Sequence, residues 1–243
     1  MTRSRPERFF FVHVMKTGGT TLAEHIHANF VESERYPTAE IRPERRQQYF
    51  MIDELLAHHR EHPETRMYAG HFPFVASQLV DATHTLSLVR EPVERTISAL
   101  HHHRQHEPRL RDASLEEVYD DPWIFPIYIH NHQSKLFSMN ESDKLESFMD
   151  VIAVDEERLR AAIANLAHVD VLGLQESFDD FTSLLASRFG WSLGRFAPRR
   201  RRDDALSVSP ELEARIREDN AADLAFYDAA RELVKTAQLR PRG

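Results

Sequence analysis

The chain has 243 residues, 41% of them hydrophobic, which is enough for one large α/β domain, residues 1–243, with a buried core. Its 31 basic and 39 acidic residues give a formal charge of −8, so the surface as a whole does not suit nucleic acid and any anion must be met by local basic sites. The lack of cysteine excludes a disulfide framework and thiolate chemistry, and the run Phe9 to Val12 is too short to span a bilayer or act as a signal core, so a cytoplasmic location is expected.

Arg8-Phe9-Phe10-Phe11-Val12-His13-Val14 is aromatic and β-branched, which predicts a buried parallel strand. That strand delivers the loop His13 to Thr21, HVMKTGGTT. Gly18 and Gly19 permit positive φ and let main-chain N–H groups approach a ligand without an intervening Cβ. Lys16 adds a charge. Thr20 or Thr21 is expected to cap a helix through Leu22, Ala23, Ile26 and Phe30, whose first turn favours phosphate or sulfate. The loop therefore reads as an anion cradle. A Walker A loop carries its lysine after the last glycine, whereas Lys16 precedes Gly18 and Gly19, which excludes an ATPase P-loop.

The spacing of Phe50, Leu55 and Leu56 predicts a helix over Glu44 to Glu61, and Met67 to Gly70 reads as a short strand. His71, in Ala69-Gly70-His71-Phe72-Pro73, follows that strand and is expected at the same carboxyl-terminal sheet edge as Lys16, where a base would be useful. His13 is expected to point into packing. His84 to Val89 is a further strand, with Arg90 at its end. Pro92 suits a first helical turn, and Val93, Ile97 and Leu100 continue a helical stripe. Ser98 lies two turns into that helix, close enough to share an anion with Arg90 if the chain folds back. His101, His102 and His103 fan apart by about 100° each, cannot converge on one metal, and read as a solvated face.

Ile127 to Phe137 and Asp155 to Leu166 read as helices, Val169 to Leu174 as a buried strand, and Phe178 to Phe189 as a helix stopped at Gly190. Pro210 to Leu239 reads as helical almost throughout. Strands alternating with helices imply an α/β, P-loop-like three-layer fold, with a mostly parallel central sheet flanked by helices.

Two strand-end motifs in this order resemble those of sulfotransferases that use 3'-phosphoadenylyl sulfate (PAPS), in particular the carbohydrate-type, family 2-like branch. The first is similar to that branch's P-K-T-G-G-T-[ST]-L loop, with Met15 standing where proline is usual. The resemblance implies that the segment Lys16, Thr17, Gly18, Gly19, Thr20 and Thr21 holds the 5'-phosphate and that Lys16 stabilises the bridging oxygen as the nucleotide leaves. The second is similar to R-[DE]-P-[VI]-x-R-x-x-S, which implies that Arg90 and Ser98 hold the 3'-phosphate. Gly70-His71-Phe72 is similar to the G-H-[FV] element whose histidine is the catalytic base. Asn131-His132-Gln133-Ser134-Lys135 resembles an N-x-Q-[ST]-[RK] element near donor and acceptor, which implies binding roles for Asn131 and Gln133. VLGLQESFDDFTSLLASRFGW and DNAADLAFYDAARE resemble the family's late strand-helix and terminal-helix segments. The basic run Arg199 to Arg202 reads equally as a solvated loop and as a lid that meets the 3'-phosphate or an anionic acceptor.

The resemblance thus implies in-line transfer of a sulfuryl group from PAPS to a hydroxyl acceptor, favouring a sugar, without metal. Two alternatives stand beside it. A nucleotide kinase would share the strand-loop-helix units and bind ATP with magnesium. A noncatalytic anion-binding module would keep Lys16 and Arg90 and never turn over.

Overall fold

The computed structural model describes residues 7–38, 50–194 and 208–239. The run Arg199 to Arg202 and the first part of the helix expected from Glu44 lie outside these residues.

β1 (Phe9–Val12) is the middle of a five-stranded sheet. On one side it pairs with β3 (Met67–Gly70), which pairs in turn with the short β2 (Arg35–Tyr36). On the other it pairs with β4 (His84–Val89), followed by β5 (Val171–Leu174). All four pairings are parallel, in the order β2-β3-β1-β4-β5. The α/β class expected from the alternating pattern is what the chain adopts.

A parallel sheet buries both faces, and the side chains of β1 show how this chain does it. Phe9 and Phe11 pack with Leu22 and Ile26 of α1 (Gly19–His27) and with Phe178, Phe181 and Leu185 of α8 (Phe178–Phe189). Phe10 and Val12 face the other way, onto Leu55 of α2 (Ile52–Glu61), Phe137 of α6 (His132–Ser138), Ala162 of α7 (Glu156–Leu166) and Phe226 of α10 (Ala221–Leu239). Each fully buried aromatic or aliphatic side chain stabilises this arrangement by about 1.5 to 3 kcal/mol. A smaller core joins α4 (Pro92–His106), α5 (Leu115–Tyr119) and α9 (Pro210–Asp219) through Val93, Leu100, Tyr119, Leu212 and Ile216. α3 (Val75–Leu79) follows the β3 edge.

Three expected elements differ. Thr20 and Thr21 do not cap α1: the cap position is Gly18, at φ +87°, and the threonines sit inside the first turn. The helix expected over Ile127 to Phe137 is broken. Phe125–Ile129 forms a π-helical turn, Asn131 adopts a left-handed backbone at φ +47°, and α6 begins at His132. Asparagine tolerates that conformation better than most residues. The terminal helix divides at Asn220, between α9 and α10.

These last two breaks are one feature. The Asp223 carboxylate, fully buried on α10, accepts the Gln133 and Ser134 N–H groups at 3.1 and 2.7 Å and the Ser134 hydroxyl at 2.7 Å. It supplies from a distant helix the cap that α6 lacks locally. In return the Asn131 Oδ1 accepts the Asp223 N–H at 3.0 Å, and Asn220 Oδ1 accepts the Asn131 N–H at 2.8 Å. Two helix starts thus cap each other.

Asp223→Ala is expected to lower stability by about 3 kcal/mol, because charge-assisted bonds are lost and buried donors are left unpaired. For a chain of this size that is a fall of about 6 to 12 °C in melting temperature. A calorimetric scan showing no shift would remove the reciprocal cap from the list of structural determinants.

Candidate active site

β1, β3 and β4 end side by side, with Val12 level with Gly70 on one neighbour and Ser87 on the other. This carboxyl-terminal edge, where the chain leaves β1 for strands on both sides, is where open α/β sheets place their ligands. The register brings His13, His71 and the loop after β1 together.

That loop is held tightly. The buried Thr17 hydroxyl donates to Val14 O at 2.8 Å, and Lys16 takes φ +66°. A left-handed lysine costs about 1 to 2 kcal/mol, a strain typical of ligand-holding turns. No side chain caps α1 and no acidic residue lies in its first turn, so its leading N–H groups and positive dipole end are left for a ligand. The two glycines do different work. Gly18 allows the positive φ, while Gly19 makes room for an imidazole: a Cβ there would lie 2.2 Å from His13 Cδ2.

Cations gather around the loop. Arg90 leaves β4 and donates from Nη1 to Lys16 O at 3.2 Å, while Nη2 lies 3.5 Å from Glu94. Glu94 and Ser98 are four residues apart on α4, so Ser98 shares the face that holds Arg90. Arg95 is fully buried and donates to Tyr128 O and Ile129 O, both at 2.9 Å. Burial, then the charges of Arg90 and Arg95, push the Lys16 ammonium below its ordinary pKa. Burial first, with Arg90 opposing the help of Asp223, brings the Arg95 guanidinium down to about 10. Positive groups depressing one another at a strand-end loop form a site that gains from an anion.

His71 Nδ1 lies 2.8 Å from His13 O. A carbonyl only accepts, so Nδ1 carries the proton and Nε2 keeps its lone pair. Burial and the Lys16 charge outweigh the bond to His13 and hold the imidazole below its ordinary pKa, neutral at pH 7. His13 points into packing as expected: it is buried, with its ring 5.4 Å from Phe11 and 4.3 Å from His71. The histidine run on α4 is less solvated than expected. His103 is buried against Tyr128, with ring centroids 4.5 Å apart.

The structure therefore brings the loop Lys16, Thr17, Gly18, Gly19, Thr20 and Thr21 together with His71 and Arg90, and Ser98 lies one turn beyond Glu94 on α4. It uses Asn131 and Gln133 differently. Both are buried, and Asn131 spends its amide on the junction of α9 and α10, donating to Asp219 O and accepting the Asp223 N–H. Gln133 clamps Arg90 from both ends of its amide, accepting the Arg90 N–H at 3.0 Å and donating to Arg90 O at 2.8 Å. The sequence reading passed over Arg95, visible as the second arginine of R-E-P-V-E-R, and over Asp223, which no local signal marks.

A family model described as the sulfotransferase family matches residues 1–186. The chain belongs to the sulfotransferase family. This membership supports sulfuryl transfer as its class of activity and a hydroxyl group as the class of acceptor. No curated protein matches the sequence. Among the described residues of this sulfotransferase, no group of histidine and carboxylate side chains could hold a metal ion, and no helix is long and apolar enough to cross a membrane.

Buried histidines make the fold sensitive to acid. Burial holds His13 and His132 well below the ordinary histidine range and His103 at about 4. In the unfolded chain each takes a proton below about pH 6.5, so between that value and the folded pKa the unfolded state binds more protons. Stability should then fall with falling pH, by up to about 1.4 kcal/mol per unit for each imidazole. Denaturant titrations are expected to give a less stable protein at pH 5 than at pH 7; equal stabilities would show that these rings are solvated.

Proposed function

We propose that this sulfotransferase takes its sulfuryl group from PAPS and delivers it to a sugar hydroxyl by in-line displacement. The observation that carries the reading is the pairing, at one sheet edge, of a depressed cation cluster with a histidine whose proton is fixed on the far nitrogen. The site residues fit the donor: the open α1 terminus with the Lys16 to Thr21 loop suits its 5'-phosphosulfate, and Arg90 with Ser98 suits its 3'-phosphate.

In this mechanism His71 accepts the acceptor's hydroxyl proton on Nε2 as the new oxygen–sulfur bond forms. Lys16 offsets the charge that grows on the bridging oxygen as the old sulfur–oxygen bond breaks, and 3',5'-bisphosphoadenosine leaves. The His13 carbonyl keeps the tautomer and the ring angle. Gln133 holds the Arg90 backbone, so the 3'-phosphate partner is set by a residue that need not touch the ligand. The gain comes from placement and charge, as in phosphoryl transfer.

The bisphosphate is expected to raise the melting temperature without added metal. At a hundredfold excess over its dissociation constant the linkage is about 2.7 kcal/mol, or about 5 to 10 °C. Arg90→Ala should weaken that binding by about 2 to 5 kcal/mol, with a smaller loss for adenosine 5'-phosphosulfate, which lacks the 3'-phosphate. Stabilisation by magnesium-ATP and none by the bisphosphate would favour a kinase.

His71→Ala is expected to keep bisphosphate affinity and to lower the transfer rate by about 10² to 10⁴. The wild-type rate should fall only below the ordinary histidine pKa of about 6.5, because His71 is depressed, and that acid limb should disappear in the variant. Transfer at the wild-type rate by His71→Ala would place the base elsewhere.

A further inference from the structure

The connection between α6 and α7, residues 139–155, contains no helix or strand. Connections longer than about 12 to 15 residues without secondary structure are uncommon inside a compact domain unless they carry a function. This one is firmly held. The Asp150 carboxylate accepts the Glu146 and Ser147 N–H groups at 2.9 and 3.2 Å, Arg158 donates to Asp143 at 2.6 Å, and Glu146 O accepts the Ile52 N–H at 3.0 Å. Between these contacts Leu145 takes φ +48°, a conformation that persists in such a residue only where the surroundings over-determine it.

Lys135, fully buried on α6, adds a further tie. Its ammonium donates to Asp150 O at 3.2 Å and to Ile127 O at 3.1 Å, and the second carbonyl also faces His132 Nδ1 at 3.0 Å. Burial pushes that ammonium down to about 8, although Asp150 and Asp223 oppose the fall. Replacing a buried charge by an apolar side chain of similar volume is often neutral or stabilising, so packing alone does not account for a lysine here. What it joins is the π-helical turn on one side and the 139–155 connection on the other.

The side chain that this connection delivers is Phe148. It is buried, and its ring lies at 5.8 Å and 67° to His71 and at 6.0 Å and 82° to His132, with Tyr128 and Phe50 each 5.7 Å away. The ring torsion of a histidine is broad, so the bond from Nδ1 to His13 O does not by itself fix where Nε2 points. Two rings packed on the imidazole, His13 at 4.3 Å and Phe148, narrow that choice.

We propose that Phe148 is the positioning residue of the base: its ring fixes the direction of His71 Nε2 and keeps water from the imidazole, and Lys135, through Asp150, holds Phe148 in place. This rests on the reading of His71 as the base. Burial is the main influence lowering the His71 pKa, the Lys16 charge adds to it, and the bond to His13 opposes both; His132, on α6, in turn feels the charge of His71. Those three neighbours stay in every variant below, so thinning the aromatic cover should let the pKa rise.

The test is an NMR titration of the full-length protein labelled at histidine, with and without 3',5'-bisphosphoadenosine, the His71 signals being those absent from His71→Ala. In the wild type His71 is expected to titrate below the ordinary value of about 6.5 as a single Nδ1–H tautomer. Phe148→Ala should move the titration up toward that value and populate the second tautomer, Phe148→Leu should fall between, and Lys135→Met should shift it in the same direction, all with bisphosphate affinity within twofold of the wild type. An unchanged titration and tautomer in the Phe148 variants would overturn the proposal, and Phe148→Leu alone decides should Phe148→Ala not fold. Lys135→Met identical to the wild type would overturn the part given to Lys135. Failure of the bisphosphate to bind the wild type would instead count against the donor reading, and transfer at the wild-type rate by His71→Ala against the base; in either case the titrations still decide whether Phe148 positions the ring.

Discussion

The buried carboxylate of Asp223 is the contact on which the active-site edge depends. A helix start has N–H groups that must find partners; those of α6 find theirs on α10, in an aspartate that is itself fully removed from water. Fixing the start of α6 fixes Gln133, and Gln133 fixes the backbone of Arg90 on both its N–H and its carbonyl. Arg90 in turn donates to the carbonyl of Lys16, in the middle of the strained loop. A carboxylate far along the chain thus sets the position of the loop that follows the first strand. Residues 1–186 carry the family match, and the cap on this part of the site comes from beyond them.

The second constraint is electrostatic. Burying like charges together is unfavourable unless each finds donors, acceptors or a counter-ion. Arg95 meets this condition with two carbonyls and the nearby Asp223. Arg90 meets it through the Lys16 carbonyl and Glu94. The positive charge gathers at the loop and the open end of α1, whose leading N–H groups no side chain caps. The histidines respond in the opposite sense: burial and the same cations keep His13 and His71 neutral. One cluster of charges therefore favours an anionic ligand and a deprotonated imidazole together.

Much of the fold was legible because parallel strands and amphipathic helices repeat with short periods. The strand Phe9–Val12 sits inside its expected run, His84–Val89 and the helix Phe178–Phe189 have the bounds their residues suggested, and Gly190 stops that helix at φ +71°. The errors lie where a distant residue decides a local conformation. Ile127 to Phe137 has an unbroken helical pattern, yet Arg95 holds the π turn and Asn220 and Asp223 hold the restart at His132. No window of neighbouring residues contains that information.

The same division holds for the site. By itself the sequence determined the order lysine, two glycines and threonines after an apolar strand, an arginine ending another strand and a histidine ending a third, because these are local choices of charge, backbone freedom and strand boundary. Only the tertiary structure decided that Gly19 is small for the sake of His13, that Gln133 brackets the Arg90 backbone, and which nitrogen of His71 carries the proton. Those facts depend on contacts between residues far apart in the chain, whose distances are set by the register of β1 against β3 and β4 and by the packing of α6 on α10.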